Sequence, residues 1–341
     1  MSLPRVSILA LGGTIATRRD ATGAMQMGLG ADDLVAAVPG LAGIATIRAE
    51  TLSRVGSHSL SIAQIRALAR RIEADDADAV VVTQGTDTLE ETAFLLDLLG
   101  ESRKPLVVTA AMRNPALASA DGPGNLLAAV RLAVDPWVRE RPAALGPLVV
   151  LLDQVHAAAD VVKAHPVRID AFTSPQTGPL AVFVEGRVVP LAFPVRAAME
   201  RTRAMLGPRR RDSESHAPVA LLWLGLDDDG ALVEAMLRAP DLLGYRGAVI
   251  AAMGGGHAPE SMASRLGRLA KALPTVVAAR SGGGPMLRET YAGPSAEIEL
   301  RRAGLIWGGR LHPLKARLLL STALDCDVPP RRLPELFDAW G

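Results

Sequence analysis

Residues 83 to 92 read TQGTDTLEET and continue the apolar run AVVVTQ that begins at Ala79. A strand that turns into a helix needs one side-chain oxygen as a cap, whereas this turn offers Thr83, Thr86, Asp87 and Thr88. Such a surplus suits a bound polar molecule better than a fold. Glu90 and Glu91 fall in the first helical turn, where acids complement the helix dipole and call for no catalytic explanation. Lys163, in HAAADVVKAHP, lies among apolar neighbours two residues before His165. A lysine is most often a solvated surface charge. Desolvated beside Asp87, it could instead serve as a neutral-amine base toward a threonine hydroxyl. Thr86, Lys163 and Asp87 would then form nucleophile, base and orienter, although their separation along the chain leaves their meeting open.

Two more polar clusters follow apolar runs. The first strand-like run ends in LGGTIA, where two glycines let the backbone turn sharply and bring Thr14 close to a ligand; the alternative is that Thr14 merely caps a turn. In VGSHSLS, residues 55 to 61, Ser59 or Ser61 is the expected cap of the helix SIAQIRALARR. That leaves Ser57 free to meet a ligand, with His58 beside it.

Short apolar runs recur along the first half, VSILAL, AVVVTQ, KPLVVTAA and LGPLVVLLD, alternating with amphipathic stretches. This is the pattern of a parallel sheet covered by helices on both faces. Ligands in such sheets sit beyond the carboxyl ends of the strands, where the polar clusters fall. Between Arg196 and Ala217 the composition shifts to RAAMERTRAMLGPRRRDSESHA, which reads as an exposed linker whose RRR is solvated. A second series follows in PVALLWLGL, GAVIAAMGGGH and PTVVAARSGGG, ending in the helical LKARLLLSTALD. The expected organisation is an N-terminal catalytic α/β domain over 1–195, a linker over 196–217 and a C-terminal α/β domain over 218–341. The larger domain is expected to be a flavodoxin-like parallel sheet and the smaller one Rossmann-like.

The 341 residues carry 37 lysines and arginines against 36 acids, a formal charge of +1 that argues against nucleic acid or membrane partners. Apolar residues make up 49% and charged residues 21%, which excludes a largely disordered chain. The single cysteine, Cys326, permits no intrachain disulfide and suits a reducing compartment. With no signal-peptide pattern at the start and no run long enough for a membrane span, a cytoplasmic location is expected. No glycine cluster has dinucleotide or phosphate-loop spacing, so a nucleotide site is unsupported.

LGGTIA, TQGTDTLEET, AMRNPALASADGPGNLLAAV, DVVKAHP and HPLKARLLL occur in the order and spacing of the bacterial-type L-asparaginase and glutaminase-asparaginase family. The resemblance covers nearly the whole chain. It implies a hydrolase of side-chain amides that releases ammonia through an acyl-threonine intermediate, without metal or cofactor. Thr14 matches one catalytic threonine, on a mobile N-terminal loop and usually called the nucleophile. Thr86 matches the other, activated by Lys163 with Asp87 beside it. Ser57 and Asp87 match residues that hold the substrate's α-carboxylate and α-amino group, while Gln84 and Ala111 match positions lining the site. The family further implies a homo-oligomer, a dimer of dimers, with the C-terminal domain reaching into a neighbouring subunit's site.

The sequence departs from that pattern in two places. The family's N-terminal lid carries a tyrosine, and the matching place here is Ala24 or Met25; the chain's tyrosines are Tyr245 and Tyr291. Loss of one well-placed acid or base costs on the order of 10²- to 10⁴-fold. In the C-terminal domain, His257 of MGGGHAP stands where an asparagine is usual, and Glu297 of SAEIEL corresponds to a glutamate that reads the substrate's amino group. The expected function is hydrolysis of asparagine or glutamine. The alternatives are another small amide, a weakly catalytic amino-acid-binding homologue, or the amidase subunit of a tRNA amidotransferase, against which stand the balanced charge and the lack of an added nucleic-acid domain.

Overall fold

The computed structural model describes residues 2–19, 25–101, 103–208, 210, 216–282 and 284–341. The chain divides into two compact units, Met1–Arg196 and Ala197–Gly341.

Unit 1 is built on an eight-stranded sheet. Its strands are β1 (Arg5–Ala10), β4 (Thr46–Thr51), β5 (Ala79–Thr83), β6 (Leu106–Thr109), β7 (Leu148–Leu151), β8 (Gln154–Ala157), β11 (Ala181–Val184) and β12 (Arg187–Pro190). The spatial order is β12-β11-β8-β7-β6-β5-β1-β4. The β4, β1, β5, β6 and β7 strands are parallel. In chain order these five strands run 2-1-3-4-5, the doubly wound order whose switch point lies between the first and third strands. β8, β11 and β12 extend this sheet by antiparallel pairing, so it is mixed rather than all-parallel as the apolar runs suggested. Their reversal follows from the chain turning straight back after β7 at Leu152 and Asp153, both at positive φ, with no helical crossover.

Two small ribbons stand apart from the sheet. β2 (Thr17–Arg19) pairs with β3 (Met25–Met27), and β9 (Val162–Lys163) pairs with β10 (Phe172–Thr173), both antiparallel. Helices α1 (Ala31–Ala36), α2 (Ile62–Glu73), α3 (Leu89–Leu99) and α4 (Gly122–Val134) include the crossovers. Every residue of β5 is buried, which explains why it reads as a continuous apolar run. One face of the core gathers Ile8, Val81, Val107, Leu126 and Ala129.

Unit 2 holds four parallel strands, β13 (Val219–Trp223), β14 (Gly247–Ala252), β15 (Thr275–Ala279) and β16 (Ile306–Trp307). Their spatial order is the chain order, so this sheet has no switch point. The stretch read as an exposed linker contains a helix, Ala197–Leu206, that buries Ala198, Met199, Thr202 and Leu206. Those positions share one helical face, and the Trp340 indole donates to Thr202 Oγ1 at 3.0 Å. Charged neighbours hid this face in the sequence. Arg210 of the basic run is buried rather than solvated and donates to the Gly207 carbonyl at 2.6 Å; Arg209 and Arg211 lie outside the described residues.

Candidate active site

Three loops converge where the strand order reverses, and glycines show how tightly. Gly13, after β1, has φ +88° and ψ −178°, a region open essentially to glycine alone. A Cβ there would lie 2.1 Å from the Gly85 nitrogen and 2.2 Å from its Cα, so the LGGT backbone lies flat against the TQGT backbone. A Cβ on Gly85 would meet Ser57 Oγ at 2.7 Å, and one on Gly12 would meet the Val55 carbonyl oxygen at 2.7 Å. The loops after β1, β4 and β5 therefore share backbone contacts that no side chain could separate. Thr14, half-buried, opens a short 3-10 turn, and Thr17 Oγ1 donates to its carbonyl at 2.8 Å.

The surplus hydroxyls are not spent on capping α3. Thr88 occupies the N-cap without a side-chain cap bond, and its hydroxyl instead donates to the Ser57 carbonyl at 2.9 Å. Ser57 Oγ accepts the Asp87 backbone N–H at 3.0 Å. Ser57 is 2% exposed, whereas Ser61 caps α2 and accepts the Gln64 N–H at 3.2 Å. His58 is open to solvent, its Nδ1 3.6 Å from Asp87 Oδ2, a contact worth little at that exposure.

Lys163 arrives from the β9 ribbon. Its side chain is 14% exposed and its Nζ donates to Thr86 Oγ1 at 2.9 Å and to Asp87 Oδ1 at 2.7 Å. The Lys163 hydrogen bond holds the Asp87 carboxyl below its ordinary range against the opposing effect of burial, with the Lys163 charge and His58 adding to the same side. Lys163, more than seventy residues further along the chain, thus joins the adjacent Thr86 and Asp87 in one hydrogen-bonded constellation. Such a set can relay a proton from a hydroxyl that attacks an acyl carbon.

Gln84 is fully buried; its amide donates to the Gly85 carbonyl at 3.3 Å, and its Oε1 is without a partner among the described residues. Ala111 is also buried, at the end of the β6 turn, in contact distance of a Cβ built on Gly122. That turn is pinned by Asp121, which accepts the Met112 and Arg113 N–H groups at 2.9 and 2.8 Å. Ala24 lies outside the described residues, and Met25 falls in β3.

Within unit 2, Glu297 is buried and occupied. Its Oε1 accepts the Thr290 and Tyr291 N–H groups at 2.7 and 2.6 Å, and its Oε2 lies 3.2 Å from His257 Nε2. Tyr291 meets the His257 ring edge-on at 5.2 Å between centroids. Burial opposes ionisation of Glu297, yet the two N–H groups and His257 bring its carboxyl below the usual range.

Glu90 is a residue whose sequence reading missed its place. It is 6% exposed and its Oε2 accepts the backbone N–H of Lys163 at 3.0 Å. An acid in a first helical turn carries no signal of such a long-range contact.

Residues 5–194 match the family model for asparaginase, N-terminal, and residues 218–337 match that for the glutaminase/asparaginase C-terminal domain. The chain is 33% identical to L-asparaginase 2 of Escherichia coli, over 100% of this chain and 94% of that protein. It is 36% identical to a probable L-asparaginase of Deinococcus radiodurans, over 98% of each. The crystal structure of a probable cytoplasmic L-asparaginase from Campylobacter jejuni superposes with a TM-score of 0.84 at 32% identity, covering 98% of this chain and 99% of that one. With both halves matched and full-length relatives above 30% identity, the chain belongs to the asparaginase family.

Proposed function

We propose that this chain is an amidohydrolase of the L-asparaginase type, releasing ammonia from the side-chain amide of asparagine or glutamine. The observation that supports it most is Lys163 Nζ within 2.9 Å of Thr86 Oγ1 and 2.7 Å of Asp87 Oδ1. With the lysine as free amine, the Thr86 hydroxyl would pass its proton to Nζ as its oxygen bonds to the amide carbon. The carbonyl electrons move onto oxygen and return as the C–N bond breaks, the leaving nitrogen taking the proton from Lys163 and departing as ammonia. Water then attacks the acyl ester, its proton again received by Lys163, and the acid leaves as Thr86 regains its hydrogen. Thr14, one residue from the Gly13 contact, is the second hydroxyl of the site; Thr86 is the one directly paired with an amine. Asp87 keeps the amine aimed, and Ser57 and Asp87 are the groups for the substrate's α-carboxylate and α-amino ends.

A homo-oligomer is supported by the apolar side chains that unit 2 leaves open, Leu226 at 98%, Leu242 at 85% and Leu232 at 70% exposed; its arrangement as a dimer of dimers is what the family resemblance implies. The presence of a single cysteine, Cys326, favours a cytoplasmic location; among the described residues no helix is long and apolar enough to cross a membrane.

The test is ammonia release from asparagine, glutamine, their D-forms and simple amides, beside Thr86→Val and Lys163→Met. Both variants lose turnover by about 10²-fold or more; normal turnover in both refutes the assignment. A second reading, retained fold with altered recognition, is favoured by His257 where asparagine is usual; it predicts activity only on another amide.

A further inference from the structure

We infer that Glu90 is a positioning residue for Lys163, an inference that rests on the reading of Lys163 as the base. β9 is two residues long and lies outside the main sheet. Its ladder partner is β10, with Phe172 opposite Lys163 and the Ala164 N–H donating to the Ala171 carbonyl at 2.7 Å. The N–H of Lys163 itself goes elsewhere, to Glu90 Oε2 at 3.0 Å.

Glu90 is the second residue of α3, four positions beyond Thr86 and three beyond Asp87. One short segment, residues 86 to 90, therefore grips Lys163 at both ends: Thr86 and Asp87 hold the side-chain Nζ, and Glu90 holds the main chain. A lysine side chain gives up substantial rotamer freedom when ordered. With only its head group held, motion of a two-residue strand would pass down four flexible bonds to Nζ. Fastening the backbone to the helix that follows the Thr86 turn removes that motion, and the buried carboxylate makes a bond stronger than a neutral acceptor would.

The variants Glu90→Leu, Glu90→Gln and Glu90→Asp separate this role from simple stability. Leucine fills a similar volume without an acceptor; glutamine offers a carbonyl at the same reach; aspartate keeps the charge but withdraws it by one methylene. Because a misplacement of about 1 Å can cost 10²-fold, Glu90→Leu is expected to lower kcat on the order of 10²-fold with KM unchanged. Glu90→Gln recovers most of that loss, while Glu90→Asp does not. Rates are referred to the folded fraction measured by circular dichroism, which a purely structural role would account for entirely. Wild-type kcat per folded molecule in Glu90→Leu, a defect confined to KM, or a glutamine variant as slow as the leucine one overturns the inference. Should Glu90→Leu fail to fold, Glu90→Asp decides: reduced kcat at unchanged KM supports it and wild-type kcat overturns it. Lys163→Met run in parallel shows which claim fails: if it retains turnover, the reading of the base falls, whereas a dead Lys163→Met beside a fast Glu90→Leu removes Glu90 alone.

Discussion

Replacing Gly13 by alanine tests whether the contact between two backbones places the threonines. At φ +88° and ψ −178° the alanine would sit in a region that costs about 1–3 kcal/mol for any residue but glycine. Its Cβ would also fall 2.1 Å from the Gly85 nitrogen and 2.6 Å from the Gln84 carbonyl carbon, both main-chain atoms that no rotamer change can move. The LGGT loop must then retreat from the TQGT turn by more than about 1 Å, enough for a loss on the order of 10²-fold in rate. Gly178→Ala is the control: it is also at positive φ, +70°, but a Cβ there meets nothing within 4 Å, so only backbone strain of about 1–2 kcal/mol remains. The assay is ammonia release with asparagine, with thermal unfolding measured on the same samples. Gly13→Ala is expected to lose both stability and kcat, and Gly178→Ala stability alone. Wild-type kcat in Gly13→Ala would refute the claim that this contact sets the site.

Two further predictions concern pH. Burial alone would raise the Asp75 carboxyl, but the Ala77 N–H, Arg71, Ser7 and Arg48 together bring it down to about 2. A lowered carboxyl adds stability that is fully present above about pH 4 and is lost as pH falls through 2, roughly 2 kcal/mol at neutral pH. Asp75→Asn should therefore unfold more readily than the parent at pH 7 by denaturant titration, with the gap narrowing between pH 4 and 2; a gap independent of pH would contradict this. Burial holds the His156 imidazole at about 4 from 6.5, and its Nδ1 lies 2.9 Å from Ser174 Oγ. Between those values the unfolded chain binds a proton that the folded chain refuses, so stability declines from pH 6.5 to 4. His156→Gln should flatten that decline in thermal unfolding, and an unchanged slope would assign it elsewhere.

Much of the candidate site was legible because its chemistry is locally encoded. Paired glycines before Thr14 and the crowded hydroxyls around Thr86 and Asp87 stand out against what a strand end and a helix cap need. A burial pattern on both faces likewise made the parallel strands readable as continuous apolar runs. The helix Ala197–Leu206 was not legible, since Glu200, Arg201 and Arg203 interrupt its apolar face in the linear text while lying apart from it on the helix. The antiparallel extension by β8, β11 and β12 also escaped, because an apolar strand carries no mark of its direction.

The sequence by itself determined the residue types, the glycine-only backbone at Gly13 and the strand ends where polar groups collect. Only the tertiary structure decided which of them meet. Lys163 reads as an ordinary surface charge until β9 is laid beside the start of α3, and Glu90 reads as a dipole complement until the same packing hands it the Lys163 N–H. Glu297 reads as a carboxylate for the substrate's amino group until the Thr290 and Tyr291 N–H groups and His257 occupy its two oxygens. The physical reason is one of range: dihedral preference and capping act over a few residues, whereas a hydrogen bond across 77 positions exists only once sheet order and crossovers have brought distant segments together.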